Sequence, residues 1–210
     1  MEKVDRTHWE RAELFEFFSA VSHPFYSVTF RVDVTNLYRY VKERHLSFYY
    51  AMGYLVTDAV NSVKNFRYAI RDGEVWLLDE RIPSLTDLKP GSEQFHIVTL
   101  PKVGGIAEFC ASAQARSAAQ KTLLDQDEEN DNLIYISCTP WFDLTGCTNE
   151  RDFDGTTTSP ASHGADMARK MAARHWGCRW RSITASSTVS IWGNSTRNYR
   201  PTSTHYKEAF

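Results

Sequence analysis

Hydrophobic and polar positions alternate along this chain with two different periods, which predict helices and strands in succession. Helical spacing of apolar residues predicts helices over residues 11–20, a short segment that begins at Thr35 or Asn36, residues 47–63 and residues 105–125. Two-residue alternation or short apolar runs predict strands over residues 25–34, 94–100 and 133–137, and a hairpin over 66–78 that turns at Arg71-Asp72-Gly73. Helices mixed with hairpins in this order predict an α/β or α+β fold.

The segment from Leu133 to Phe153 combines the features of a core strand and of a ligand pocket. Its first five residues read as a buried strand, and Pro140 ends this strand because proline supplies no N–H to a ladder. Large aromatic side chains then alternate with polar residues and a glycine, in the order Trp141, Phe142, Asp143, Leu144, Thr145, Gly146. The pattern alone fits either an aromatic corner of the core or the wall of a pocket for an apolar, hydroxylated ligand.

Composition excludes several classes of protein. A net charge of −2 and a pI near 6.4 argue against a nucleic-acid binder or a polybasic membrane-surface protein. The sequence has no apolar run of the ~20 residues that a membrane span needs, and its first residues lack the apolar centre of a signal peptide. The four cysteines have no CxxC spacing, which predicts reduced thiols in a cytoplasmic protein.

Charge and composition change abruptly after Asp154. Residues 1–154 carry 16 Lys and Arg against 24 Asp and Glu, whereas residues 155–210 carry 8 against 2. The later segment has no leucine, and 16 of its 56 residues are Ser or Thr. Such a segment buries too little apolar surface to offset its ordering entropy. We therefore predict a body over residues 1–154 and an atypical, poorly ordered tail over 155–210.

Several segments of the body, taken in order, resemble the chloramphenicol acetyltransferase family over residues 5–154. The resemblance rests on residues 33–37 (DVTNL), 66–73 (FRYAIRDG), 137–146 (SCTPWFDLTG) and 148–153 (TNERDF). It implies a two-layer α/β sandwich of a mixed sheet with flanking helices, as in the CoA-dependent acyltransferases, assembled as a homotrimer. It also implies transfer of acetyl from acetyl-CoA to the primary hydroxyl of chloramphenicol without a metal, in a site between subunits.

The resemblance also implies roles for individual residues. Phe25 and Tyr26 match the aromatic pair that packs on the antibiotic ring, and Trp141 matches the tryptophan of the Pro-Trp core. Gly146 falls where many members carry a serine that hydrogen-bonds the oxyanion, and Thr145 offers a neighbouring hydroxyl. Members use a histidine as general base, within a His-x-x-x-Asp-Gly motif near the C-terminus whose aspartate holds the loop.

This chain has no His-x-x-x-Asp-Gly motif, so none of its histidines matches the catalytic position, including His23 and His96 in the body. The codons of residues 183–193, read one base earlier, permit the sequence DHRFIDGVHMG. The histidine would overlap Thr184 and the aspartate Thr188. The same shift permits an amphipathic terminal helix over residues 194–206 and a stop at Lys207. We therefore predict a one-base frameshift near Asp154 or Gly155.

Two functions stay open for the chain with its displaced tail. One is a chloramphenicol O-acetyltransferase that has lost its base, folds less stably and trimerises poorly. The other is a non-catalytic binder of small molecules that keeps the pocket of the family. A nucleic-acid function for the tail has only its positive charge in its favour, and we expect neither nucleic acid nor membrane as a partner.

Overall fold

A computed structural model describes residues 1–22, 24–89, 91–125, 127, 130–139, 165–170 and 175–183. Its helices are α1 (Ala12–Ser19), α2 (Thr35–Glu43), α3 (Phe48–Ser62) and α4 (Ile106–Ala119), with a 3-10 turn at Lys64–Arg67. Its strands are β1 (Glu2–Lys3), β2 (Phe25–Asp33), β3 (Tyr68–Arg71), β4 (Glu74–Leu77), β5 (Ile82–Leu88), β6 (Phe95–Thr99), β7 (Leu133–Thr139), β8 (Ala165–Lys170) and β9 (His175–Ile183). The predicted α/β class is confirmed.

The main layer is a six-stranded mixed sheet with the order β2-β9-β8-β7-β5-β6. Strand β7 runs parallel to β5 and to β8, and the other neighbouring pairs are antiparallel. Helices α3 and α4 pack against this sheet, and the main core lies between the two layers. The parallel strands β5 and β7 are both interior strands of the sheet, and neither lies at an edge.

Helix α3 is central to this core because its sequence allows close contact with the sheet. The Ser47 side chain accepts a hydrogen bond from the Tyr50 backbone N–H at 3.3 Å and so caps its first turn. Gly53 faces Leu85 of β5, and a Cβ at this glycine would lie 2.9 Å from Leu85 Cδ2. The glycine therefore leaves room for the Leu85 side chain, whose outer methyl group would have to shift if a Cβ were present.

A second, three-stranded sheet has the order β1-β4-β3 and carries its own small core with α1. The predicted hairpin is confirmed as β3 and β4, and its turn residues Asp72 and Gly73 have φ values of 52° and 76°. Two consecutive positive φ values are characteristic of a type I′ turn, whose twist matches that of the flanking strands.

Arg81 joins the two sheets from a fully buried position. Its Nε donates to the Phe66 carbonyl at 2.9 Å, and its terminal nitrogens donate to the carbonyls of Tyr68 and Asp131. Burial lowers the pKa of this guanidinium to about 10, so it remains charged at neutral pH. The interior charge is stabilised by these three backbone acceptors.

Strands β1 and β5 and the end of helix α4 differ from the sequence-based predictions. Strand β5 was not predicted, because Pro83 and Asp87 interrupt its apolar pattern. Helix α4 ends at Ala119 and not at residue 125, because the chain then turns along the outer edge of β6. There Gln120 Nε2 donates to the Ile97 carbonyl at 2.6 Å, and the Ile97 N–H donates to the Leu123 carbonyl at 2.7 Å.

Two stretches of the predicted tail are strands of the main sheet. Strand β9 pairs with β2 over its whole length, from Phe25 opposite Ile183 to Asp33 opposite His175. Strand β8 lies between β9 and β7. The division of the chain at residue 154 and the poor order of the tail as a whole stay predictions.

Candidate active site

The predicted aromatic pair lies at the beginning of the edge strand β2. Phe25 is 37% exposed, whereas Tyr26 is half-buried and packs against the main core. Consecutive strand residues point to opposite faces, so the two rings do not form one continuous wall. Phe25 therefore offers the exposed ring surface here, and Tyr26 supports the strand from within.

The end of β9 lies directly beside this pair. Ile183, the last residue of β9, is the register partner of Phe25, and Ser182 is that of Tyr26. Thr184 follows Ile183 in the chain. Thr184 and Thr188, the positions that the shifted frame predicts for the histidine and the aspartate, lie outside the described residues.

The predicted aromatic corner follows β7 in the chain. Trp141, Thr145 and Gly146 lie outside the described residues, but they follow β7, whose last residue is described. Across the sheet, residue pairing connects Thr139 in turn with Ala168, Gly177 and Arg31. Arg31 is six residues along β2 from Phe25, which corresponds to about 20 Å along a strand. The structure therefore does not bring the end of β7 close to Phe25.

The carboxyl ends of the parallel strands β5 and β7 are joined by a tyrosine from α3. The Tyr49 hydroxyl lies 2.8 Å from the Thr86 carbonyl of β5 and 2.8 Å from the Ile136 carbonyl of β7. Burial raises the pKa of Tyr49 well above its ordinary value. Tyr49 thus stays neutral and spans the two strands next to the segment that continues toward Trp141.

A partly buried polar network lies at the same end of β5. The carboxylate of Asp87 accepts hydrogen bonds from the Tyr50 hydroxyl and from Ser117 Oγ, the latter at 2.6 Å. His96 Nε2 lies 2.9 Å from the same Ser117 oxygen, and His96 is only 1% exposed. The pKa of Tyr50 is raised, mainly by burial. A histidine enclosed in this way cannot reach a substrate hydroxyl, so His96 is a structural residue.

Sequence reasoning did not single out this network, because its four members come from four different elements. Neither their spacing nor their residue types form a motif, and only the tertiary structure brings them together. His23 lies outside the described residues. In the ranges that the structure describes, no group of three or more His, Cys, Asp or Glu side chains could hold a metal ion. None of the helices in those ranges is long and apolar enough to cross a membrane.

Sequence comparisons with known proteins cover the body, and structural comparisons cover nearly the whole chain. The family model described as chloramphenicol acetyltransferase matches residues 1–157. The chloramphenicol acetyltransferase of Clostridium perfringens is 30% identical over 149 residues, which cover 69% of this chain and 70% of that protein. Chloramphenicol acetyltransferase 3 of Escherichia coli is 30% identical over 142 residues, which cover 66% of this chain and 67% of that protein.

Solved structures extend the similarity beyond the body. A chloramphenicol acetyltransferase structure matches with a TM-score of 0.81 and 20% identity, over 95% of this chain and 99% of that one. A probable dihydrolipoamide acetyltransferase of Listeria monocytogenes matches with a TM-score of 0.58 and 11% identity, over 90% of this chain and 89% of that one. At these identities the structural matches establish the fold. Together with the family match over most of its length, they show that the chain belongs to the chloramphenicol acetyltransferase family, whose members are acetyl-CoA-dependent acetyltransferases.

Proposed function

We propose that this chain descends from a chloramphenicol O-acetyltransferase and has lost most of that activity through a one-base frameshift near Asp154 or Gly155. The observation that carries the proposal is the pairing of Ile183 with Phe25, one of the two aromatic residues proposed to contact the drug. The residue after Ile183 is the position at which the other frame permits histidine, so the base of the parent enzyme would follow β9 directly beside Phe25. In this chain the position holds Thr184.

The lost step is the removal of a proton from the drug hydroxyl. In the parent reaction the imidazole takes this proton as the hydroxyl oxygen attacks the thioester carbonyl of acetyl-CoA, and the resulting oxyanion then expels the CoA thiolate. A threonine hydroxyl is not a base at neutral pH. General-base catalysis contributes about 10²–10⁴ in rate, and we expect this chain to lack that factor.

Binding of the acceptor is proposed to involve Phe25, Tyr26 and the segment that contains Trp141, Thr145 and Gly146. The start of β2 and the end of β7 lie at opposite ends of the sheet in one chain. This separation favours a pocket shared between copies, as in the proposed homotrimer. We further propose acetyl-CoA as co-substrate, no metal requirement and a cytoplasmic location.

A non-catalytic binder of chloramphenicol-like molecules is the second candidate. The observation in its favour is that Phe25 keeps 37% of its surface exposed at the end of β2. Such a protein would bind an apolar, hydroxylated ligand through aromatic surface without needing a base.

Thiol release from acetyl-CoA in the presence of chloramphenicol tests the proposal and distinguishes the candidates. The sample is the full chain, verified by mass, and the Clostridium perfringens relative serves as the active reference. We expect a rate at least about 10² lower than that of the reference. Calorimetric titration with chloramphenicol alone then decides between the candidates, since binding without thiol release favours the binder. A turnover number equal to that of the reference would refute the proposal.

A further inference from the structure

Arg11 is a buried cation whose hydrogen-bonding edge has no partner. It immediately precedes α1 and is only 8% exposed. Its Nε and Nη2 are both buried, and neither has a hydrogen-bond partner among the described residues. A buried charged group without a partner is costly in free energy. The two unpartnered nitrogens of Arg11 therefore need a physical explanation.

Two other arginines of the body show what such an edge can hold, whereas the buried Nε of half-buried Arg67 likewise has no hydrogen-bond partner among the described residues. Arg71 uses the same two nitrogens, Nε and Nη2, to bind both carboxylate oxygens of Asp131, with an Nη2–Oδ1 distance of 2.6 Å. Arg81 satisfies its nitrogens with three backbone carbonyls. Nε and Nη2 form one side of the planar guanidinium, and their spacing matches the two oxygens of a carboxylate.

The chain around Arg11 carries charges of both signs, because Glu10 precedes it and Glu13 lies in the first turn of α1, where the Ala12 N–H donates to the Trp9 carbonyl at 3.0 Å. Helix α1 begins next to it, and no side chain caps its first turn. The N–H groups of a first helical turn carry a partial positive charge and attract anions. The guanidinium of Arg6 lies 5.0 Å from the centre of the Phe15 ring in this helix. Glu13, the acidic residue of this turn, does not accept a hydrogen bond from Nε or Nη2 of Arg11.

We propose that the Nε–Nη2 edge of Arg11, at the beginning of α1, is a binding site for a small free carboxylate such as formate or acetate. A bidentate carboxylate would satisfy both orphaned donors and neutralise the buried charge. It would also connect the segment before α1 to the small core that contains Phe15. This proposal is independent of acetyltransferase activity.

Thermal unfolding of the full chain in sodium formate tests the site, with sodium chloride at equal ionic strength as reference. A ligand that binds only the folded state multiplies the folded-to-unfolded ratio by 1 + [L]/Kd. This factor is about 10 when the formate concentration is ten times Kd. We expect formate to raise Tm in a saturable way and chloride to do so much less. Arg11→Met should abolish the difference between the two salts. Arg71→Met is the matched control, because its edge is already occupied, and it should keep the difference.

Nitrogen-15 NMR of the arginine Nε–H groups gives a second readout on the unmodified chain. We expect formate to shift one Nε–H resonance, and this resonance should be missing from the spectrum of Arg11→Lys. The NMR titration stands even if Arg11→Met does not fold. The proposal would be overturned by an equal effect of formate and chloride on Tm. It would equally be overturned by an Nε–H of Arg11 that does not respond to formate because a carboxylate of the chain already holds it.

Discussion

The body of this protein resembles its family in both sequence and backbone, whereas the tail resembles it in backbone alone. The sequence alignment with the Clostridium perfringens relative covers 69% of the chain. The family model ends at residue 157. The backbone of a related structure nevertheless matches 95% of the chain. The tail therefore supplies strands in the positions of the family fold without the family sequence. A place in a sheet requires backbone hydrogen bonds and suitable alternation, whereas catalysis requires particular side chains.

The register between β2 and β9 shows how an unrelated sequence can fit this place. The β2 residues that pack against the core include Val28, Phe30 and Val32. Their register partners are Trp180, Cys178 and Trp176, respectively. Each of these three β2 residues is thus paired with an apolar residue, whereas Tyr26, which also packs against the core, is paired with Ser182.

The intervening positions of the same two strands are mainly polar. Thr29 pairs with Arg179, and Ser27 pairs with Arg181. The apolar and polar positions of β9 thus alternate in phase with those of β2. A one-residue slip would reverse both sets, which favours the observed register.

The body, in contrast, is held by side chains that make specific bonds. Tyr49 spans two strands, and Arg81 joins two sheets through three carbonyls. These contacts depend on single residue types and would not survive a change of reading frame. The alternation of apolar and polar residues in a strand tolerates such a change, because many different residue types can fill its apolar positions.

The largest expected effect comes from restoring the reading frame of the tail. Moving the frame by one base near the codons of Asp154 and Gly155 should raise the rate of thiol release by about 10²–10⁴, because the general base returns. The matched control carries the same frame change with an alanine codon in place of the histidine codon that overlaps Thr184, and it should stay slow. Coding DNA that cannot yield His-x-x-x-Asp-Gly in the new frame would contradict the frameshift.

A smaller effect, on the free energy of unfolding, is expected from substitutions at two neighbouring positions of β9. Trp180→Ala should lower the free energy of unfolding by about 3 kcal/mol, because it replaces a large apolar residue at the position paired with Val28, which packs against the core. Arg179→Ala, at the neighbouring position paired with Thr29, should change it by less than about 0.5 kcal/mol. Urea unfolding measures both values. Equal effects of the two substitutions would show that β9 does not use this register.

The smallest expected effect concerns one specific contact of the body. The hydrogen bonds from Arg71 hold the pKa of Asp131 below its ordinary value of 3.8. A lowered pKa in the folded state stabilises the protein at pH values above the ordinary pKa, and this contribution is lost as pH falls through the folded-state pKa. Asp131→Asn should therefore reduce the free energy of unfolding by about 1–3 kcal/mol at pH 7.

Urea unfolding between pH 7 and pH 2.5 checks both the size and the sign of this effect. The difference between the parent chain and Asp131→Asn should be constant down to about pH 5 and should shrink below pH 4. Asp58→Asn is the control: Asp58 pairs with Lys102 at 2.9 Å but its side chain is 63% exposed. We expect less than about 1 kcal/mol from this exposed pair. A difference that grows on acidification would contradict the assignment of Asp131.

Local sequence patterns predicted the elements whose signals lie within a few residues. Helix α3 follows from its helical apolar spacing, and the β3–β4 hairpin follows from a two-residue turn that needs positive φ. Strand β5 could not be predicted in this way, because its place beside β7 compensates for a proline that the local pattern penalises. The length of α4 was overestimated because the edge of β6 offers its next residues other hydrogen-bond partners.

For the candidate site as well, local sequence patterns predicted some features and the tertiary structure decided others. The sequence by itself determined the family, the residue types of the proposed pocket and the absence of the histidine motif, since motifs are read from neighbouring positions. Only the tertiary structure decided that Phe25 pairs with Ile183, that His96 contacts Ser117 and that Nε and Nη2 of Arg11 have no hydrogen-bond partner among the described residues. These facts depend on contacts between residues far apart in the chain, and the free energy of such contacts is set by packing and burial rather than by local preference.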